Sequence, residues 1–285
     1  MFPELLAVVI ISVVIFLFIL VLGNDLFAIM VDEQVHHLHL IVFYASFSSA
    51  PRVARMPEPV TRYISWSLGE HRKPVSCLHI RHNGRIRFGK TGRWMKLNGE
   101  AFFSLAAPGF VWHATITCAP GIWLESLDYY VHHQAGTNLN LFSFLPLNNS
   151  HKEEIKTSSL SRYLTSMPLF PMLFCSSDTI RWEPVDDSMA KAVIRDKDRS
   201  AEALVRFNGR GWIDSITIDK RAHMTTGKPA PGPTACRFSS YADVEGYRIP
   251  MQIETDLILP DGSSVFAEYT VMEIGFDTPE QKKGA

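Results

Sequence analysis

The sequence predicts a mainly β fold of the α+β kind: a curved antiparallel sheet or half-barrel with a few packed helices, behind one N-terminal transmembrane helix. Three observations predict it. The chain opens on an uncharged apolar run, most of the remaining residues alternate apolar with polar, and two stretches have helical period.

The opening run, "LLAVVIISVVIFLFILVL", spans Leu5 to Leu22 and contains no charge. As a helix it reaches roughly 27 Å, close to the ~30 Å of a bilayer's hydrocarbon. All but Ala7 and Ser12 are Leu, Ile, Val or Phe, each favouring insertion by roughly 0.3–0.6 kcal/mol. A cleaved signal peptide needs a basic start, a shorter apolar core and a small-residue cleavage site. Here Glu4 is the charged side chain ahead of the run and "GNDLF" follows it. A membrane anchor over 1–23 is therefore expected. Residues 24–56 form a juxtamembrane segment, because Asp32 and Glu33 would each cost about 2.5–3.5 kcal/mol at mid-membrane. Lys and Arg near the span decide its orientation, and the first is Arg52; a single pass with the domain outside the cytoplasm is expected.

A β-rich domain over 57–279 follows, then a polar tail, 280–285. Its first helix is "PEPVTRYISWSLG", with Val60, Tyr63, Ile64 and Leu68 on one face and Pro59 near the start. The second is "SHKEEIKTSSLSRYLTSMP". Leu160, Tyr163, Leu164 and Met167 share a face, and Ser150 with Glu153 is a possible capping box. Elsewhere the period is two. "FVWHATIT" puts Phe110, Trp112, Ala114 and Ile116 on one face. "SVFAEYTVMEIGF" does the same for Phe266, Met272, Ile274 and Phe276. Asn83-Gly84, Asn98-Gly99, Asn208-Gly209 and Asp261-Gly262 read as hairpin turns, since such pairs supply positive φ angles.

A net charge of −1 gives no electrostatic footprint for nucleic acid. The stretch "GRIRFGKT", Gly84–Thr91, matches the phosphate-loop pattern letter for letter. That loop works only between a buried strand and a helix N-terminus. Here "RWMKL" continues in strand style, so no nucleotide is expected. No other common catalytic motif appears, no cofactor is implied, and the chain leans away from being an enzyme. Cys77, Cys118, Cys175 and Cys236 are isolated, so they form no zinc ribbon; two disulfides or four buried thiols both fit, the thiols better. His36, His37 and His39 read as a polar interfacial face rather than a metal site, His113 as an exposed or hydrogen-bonded strand residue, and "IRWEPVDDS" as a polar turn after a strand.

The aromatic load is the most informative feature. Trp94, Phe110, Trp112 and Trp123 are candidate liners of an apolar pocket, and a solid core is the alternative. A third reading is an enzyme of unrecognised type, with Asp128, Arg162, Trp182 and Asp186 converging in a polar cleft.

The chain resembles a family of uncharacterised bacterial membrane-anchored proteins, a domain of unknown function, over about residues 57–276. The resemblance rests on "PEPVTRYI", "HNGRIR", "PGFVWHATI", "LDYYVHHQAG", "LSRYLTSMPLFPMLF", "IRWEPVD" and "GYRIPMQIETDLILPDG". The closing hairpins are also similar to bacterial lipoprotein-carrier domains, whose half-barrel sheet holds acyl chains beneath helices. That similarity is one of fold; with the apolar opening run and the missing catalytic motifs, a membrane-tethered, non-enzymatic domain is expected. Its partners would be the lipid bilayer and a lipid or other apolar ligand.

Overall fold

The computed structural model describes residues 2–44, 56–69, 75–151, 153–175, 180–223, 230–260 and 262–277. Residues 45–55 of the juxtamembrane segment, Asp261 and the 280–285 tail lie outside them. Thirteen strands form one antiparallel sheet: β1 (Cys77–Ile86), β2 (Met95–Ser104), β3 (Gly109–Ala119), β4 (Ile122–Val131), β5 (Gln134–Leu141), β6 (Leu145–Ser150), β7 (Ile180–Asp186), β8 (Met189–Asp196), β9 (Arg199–Phe207), β10 (Ile213–His223), β11 (Ala230–Val244), β12 (Tyr247–Leu259) and β13 (Gly262–Asp277). The order is β6-β5-β4-β3-β2-β1-β13-β12-β11-β10-β9-β8-β7. Two meanders are therefore joined side by side where β1 meets β13. An open sheet this wide curls instead of lying flat, because strand twist accumulates.

Three helices are described: α1 (Phe2–Tyr44), α2 (Glu58–Ser67) and α3 (Glu153–Ser166). The stripes expected for α2 and α3 are buried: Val60, Tyr63, Ile64 and Leu68 for α2, and Leu160, Tyr163, Leu164 and Met167 for α3 with the turn after it. α2 enters with Pro59 inside its first turn, where the missing N–H costs nothing. α1 is continuous and does not break after residue 23. One helix within Phe2–Val42 is long and apolar enough to cross a membrane, and no residue of its most apolar stretch is buried. Farther along, Phe27, Val31 and Leu38 bury themselves against Val111, Leu127 and Val131. That contact covers the back of β3 and β4, the face opposite Phe110 and Trp112. Asp32 and Glu33 stay exposed, so the charges that oppose a second span leave a docking stripe intact.

Several local expectations give way to tertiary pairing. Asn83-Gly84 and Asn98-Gly99 are not turns; both lie inside strands, paired with each other across β1 and β2. Their glycines serve close approach instead. A Cβ on Gly84 would come within 1.9 Å of the Glu268 carbonyl oxygen on β13. Asn208-Gly209 does sit in the β9–β10 connection, where Asn208 Oδ1 accepts from the Arg210 and Trp212 amides. Ser150 ends β6 opposite Thr137, so it does not cap α3. β13 carries a bulge: Arg81 faces Glu273 while His82 faces Val271. The extra residue, Met272, turns outward and is 61% exposed, correcting the face assigned to it; a bulge shifts the alternation by one. The stretch "GRIRFGKT" ends β1 and enters the turn toward β2, with no helix after Lys90.

Candidate functional site: a cavity under the curved sheet

α3 has two inner faces. One is the apolar stripe already described. The other carries Ile155, Ser159, Arg162 and Ser166, at helical spacing, and faces the concave side of the sheet. Serines do not fill the space a leucine would, and a cavity of about 190 Å³ remains. By the space one water needs, that is room for roughly a dozen waters. Ile80, Ile86, Phe103, Phe110 and Trp112 line one side; Phe238, Ile253, Phe266 and Val271 line the other. The lining therefore draws on both meanders, and the β1–β13 pairing creates it.

A line of polar groups runs along one wall. Asp128 on β4 pairs with Arg162 of α3 and also accepts the Thr137 hydroxyl. The Arg162 guanidinium lies 4.4 Å from the Trp112 ring centroid and 5.6 Å from that of Phe110. Trp112 Nε1 in turn donates to His82 Nε2 at 2.9 Å. An indole N–H can only donate, so Nε2 is the unprotonated nitrogen and Nδ1 carries the hydrogen. Burial, and then the positive charge of Arg162, lower the His82 pKa from 6.5 to about 4. The imidazole is thus neutral at physiological pH.

This has a pH consequence. A histidine whose pKa is depressed on folding stabilises the native state above its unfolded pKa, and loses that contribution as pH falls. For His82 the window runs from 6.5 down to about 4, and the contribution is on the order of 3 kcal/mol. Denaturant unfolding at pH 7 and pH 4.5 should show a steeper loss for the wild type than for His82→Gln. Equal slopes would mean that the imidazole is hydrated.

The sequence candidates fall in different places. Phe110 and Trp112 line the cavity, and so do Asp128 and Arg162. Trp94 lies outside it, with Arg85 and Arg87 over its ring at 4.6 and 4.8 Å. Trp123 packs edge-on against Phe142 at 5.1 Å and donates to the Ser143 hydroxyl. Trp182 stacks on Phe174. Asp186 closes the β7–β8 turn by accepting from the Ser188 amide at 2.7 Å; that bond and the Ser188 hydroxyl hold its carboxyl below the usual range. The four polar residues of the cleft reading thus meet as one pair, Asp128 with Arg162. Cysteines Cys77, Cys118, Cys175 and Cys236 are all free thiols, and Cys236 lines the cavity.

His82, Ser126, Thr137 and Ser159 escaped the sequence reading. The signal that could have found His82 and Ser126 was their phase: each shares a face with apolar wall residues. The "HHLH" group lies on α1. Its His39 comes together with Cys77 and Asp277, all three donor atoms within 4.8 Å of one another. Burial and the Asp277 charge push the Cys77 thiol up to about 12, so a metal ion there would have to displace a firmly held proton. His113 Nε2 meets Glu125 at 2.8 Å beneath Phe27.

Among solved structures, the chain is similar to a domain described as an outer membrane lipoprotein-sorting protein from Vibrio parahaemolyticus. Identity is 11%, covering 81% of this chain and 93% of that one, with a TM-score of 0.40. It is also similar to a LolA superfamily protein from Nitrosomonas europaea, at 10% identity, 77% and 92% coverage and a TM-score of 0.36. A DUF1329 family protein from Desulfovibrio piger gives 10% identity, 79% and 92% coverage and a TM-score of 0.41. At TM-scores of 0.36 to 0.41 these likenesses are too distant to carry an argument about this chain. A search of curated proteins finds no match. A family model does match, over residues 54–276, and the chain belongs to that family of unknown function, DUF6920.

Proposed function

We propose that the protein is a membrane-tethered, non-enzymatic domain that binds a lipid or other apolar ligand in the cavity beneath its curved sheet. The observation that carries this reading is the cavity itself: apolar side chains from both meanders form its sheet walls, and polar side chains of β4, β5 and α3 gather along one side. Residues 1–23 serve as the bilayer span, 24–56 as the juxtamembrane segment, and 57–279 as the binding domain. The domain lies outside the cytoplasm. Phe110 and Trp112 are the aromatic liners.

The way α1 meets the sheet supports this reading. Phe16, inside the apolar run, contacts Phe142 edge-on at 6.3 Å. Gly23 lies against Phe144 so tightly that a Cβ would come within 2.7 Å of it. Beside them Ile122, Phe144, Leu145 and Leu147 are exposed. This apolar tip, with Trp123 next to it, is the composition that sits at a membrane interface. Asn148, next along β6, lines the cavity, and in this reading the ligand enters from that end.

Native mass spectrometry of the full chain released from membranes in mild detergent tests the reading. The expected spectrum contains protein carrying one lipid-sized adduct that organic solvent extracts. Adduct-free protein that also takes up no added phospholipid would overturn it.

A further inference from the structure

One stretch of the sheet rim is strongly basic. Residues 84–97, "GRIRFGKTGRWMKL", carry Arg85, Arg87, Lys90, Arg93 and Lys96 and no acid, in a chain whose acids outnumber its lysines and arginines by 29 to 28. They form the end of β1, the turn after it and the start of β2. Strand pairing fixes where that turn lies. Arg85 faces Lys96, Lys96 faces Thr117, and Thr117 faces Trp123. The Trp123 carbonyl then accepts the Phe142 amide. This row runs from the basic turn to the ring that Phe16 of α1 touches. At about 4.8 Å per strand, Arg85 and Trp123 are about 15 Å apart. The turns next along the rim, "CAPGIW" and "FSFLPL", hold no acid either.

One of these charges is spent within the protein. Arg85 donates twice to Glu268, at 2.6 and 2.8 Å. Arg87 donates instead to neutral oxygens, the Val265 carbonyl at 2.7 Å and Ser264 Oγ at 3.0 Å. Those partners hold the side chain in place without matching its charge. Both guanidiniums lie over the Trp94 ring, which fixes the indole as well. Arg93 and Lys96 are exposed. A fixed indole among arginines suits the depth of phosphate headgroups, where tryptophan is enriched and guanidinium grips phosphate. A zwitterionic headgroup brings its own cation to such a rim, and an anionic one does not.

We propose that the β1–β2 turn seats this rim on the bilayer by binding anionic phospholipid headgroups, with Arg87, Arg93 and Lys96 on the phosphates and Trp94 at their depth. This rests on the membrane-tethered reading above and adds the class of lipid that the rim selects. Because α1 leaves the sheet at the same rim, the turn is held where the attraction acts. Each lysine or arginine at an anionic leaflet favours the seated arrangement about fivefold. Phe88, within the turn, lines the cavity, so seating the rim also sets that end of the cavity against the headgroups.

The test reconstitutes the full chain in nanodiscs of phosphatidylcholine, alone or mixed with phosphatidylglycerol. Mass spectrometry then follows hydrogen exchange of the backbone amides in 87–95. Exchange is expected to slow about fivefold or more in the anionic discs. It should return to the neutral-disc rate in about 1 M salt, where the Debye length falls to about 3 Å. Arg93→Gln with Lys96→Gln changes two exposed side chains and should fold normally. It should remove most of the difference and leave the neutral-disc rate unchanged. Equal exchange in the two discs, or a difference that the double variant keeps, overturns the headgroup assignment and leaves the tether standing. A chain that enters discs of neither composition overturns both.

Discussion

Replacing Asp128 by alanine is expected to lower the unfolding free energy by about 2–4 kcal/mol. Breaking a fully buried ion pair costs about 3–5 kcal/mol, because one charge is left uncompensated. Here the two side chains are 17% and 19% exposed, so residual solvation trims the figure. The arginine left behind would still lie over Trp112 and Phe110, and Thr137 would lose its acceptor. Urea titration followed by circular dichroism measures the loss. The surface pair Arg62–Glu58, whose side chains are 45% and 68% exposed, supplies the control: Glu58→Ala should cost under about 1 kcal/mol. The double variant Asp128→Leu with Arg162→Met should recover most of the loss, since an apolar pair can replace a buried ionic one. A single Asp128→Ala loss below about 0.5 kcal/mol, within the range of an ordinary surface substitution, would place the pair in water and reopen the wall of the cavity.

Filling the cavity from the helix side has the largest expected effect on binding. Ser159 lines the cavity and is buried. Ser159→Trp should occupy the cavity and, on the function proposed above, cut lipid co-purification by at least about tenfold. Because the indole enters existing space instead of a packed core, stability should change by no more than about 1–2 kcal/mol, at the low end for overpacking. Leu160→Ala, one residue along on the packed face, should do the reverse. It should destabilise by about 2–5 kcal/mol without emptying the folded protein of ligand. Native mass spectrometry and thermal melts of the two variants separate these outcomes. Unchanged lipid occupancy in Ser159→Trp would mean that the co-purifying lipid sits elsewhere, for instance around α1.

The elements were legible where one residue's neighbours in sequence are also its neighbours in space. The apolar stripes of α2 and α3 and the alternation of β3 needed no tertiary knowledge, because helix and strand periods are local. The long apolar helix was equally plain, since hydrophobic length is additive along a helix. The turn readings show the limit. Asn-Gly has a real preference for positive φ, but at Asn83 and Asn98 the preference lost to ladder pairing with distant strands. There glycine serves as the residue that lets another backbone or ring come close. Met272 shows a second limit, because one bulge, invisible in the residue types, reversed the phase of its strand.

The sequence alone determined that this chain carries a bilayer-length apolar helix, a hairpin-rich sheet and two amphipathic helices. It also determined that the phosphate-loop letters lack the helix that would give them meaning. Only the tertiary structure decided that β1 lies beside β13, that α1 continues past its apolar run to cover the back of the sheet, and that α3 turns serines and one arginine toward the concave face. It alone joined Asp128, Arg162, Trp112 and His82 into one wall. The physical reason is that such contacts link residues 30 or more positions apart, where chain entropy opposes the encounter. What makes it favourable is the burial of the whole sheet, which no local window contains.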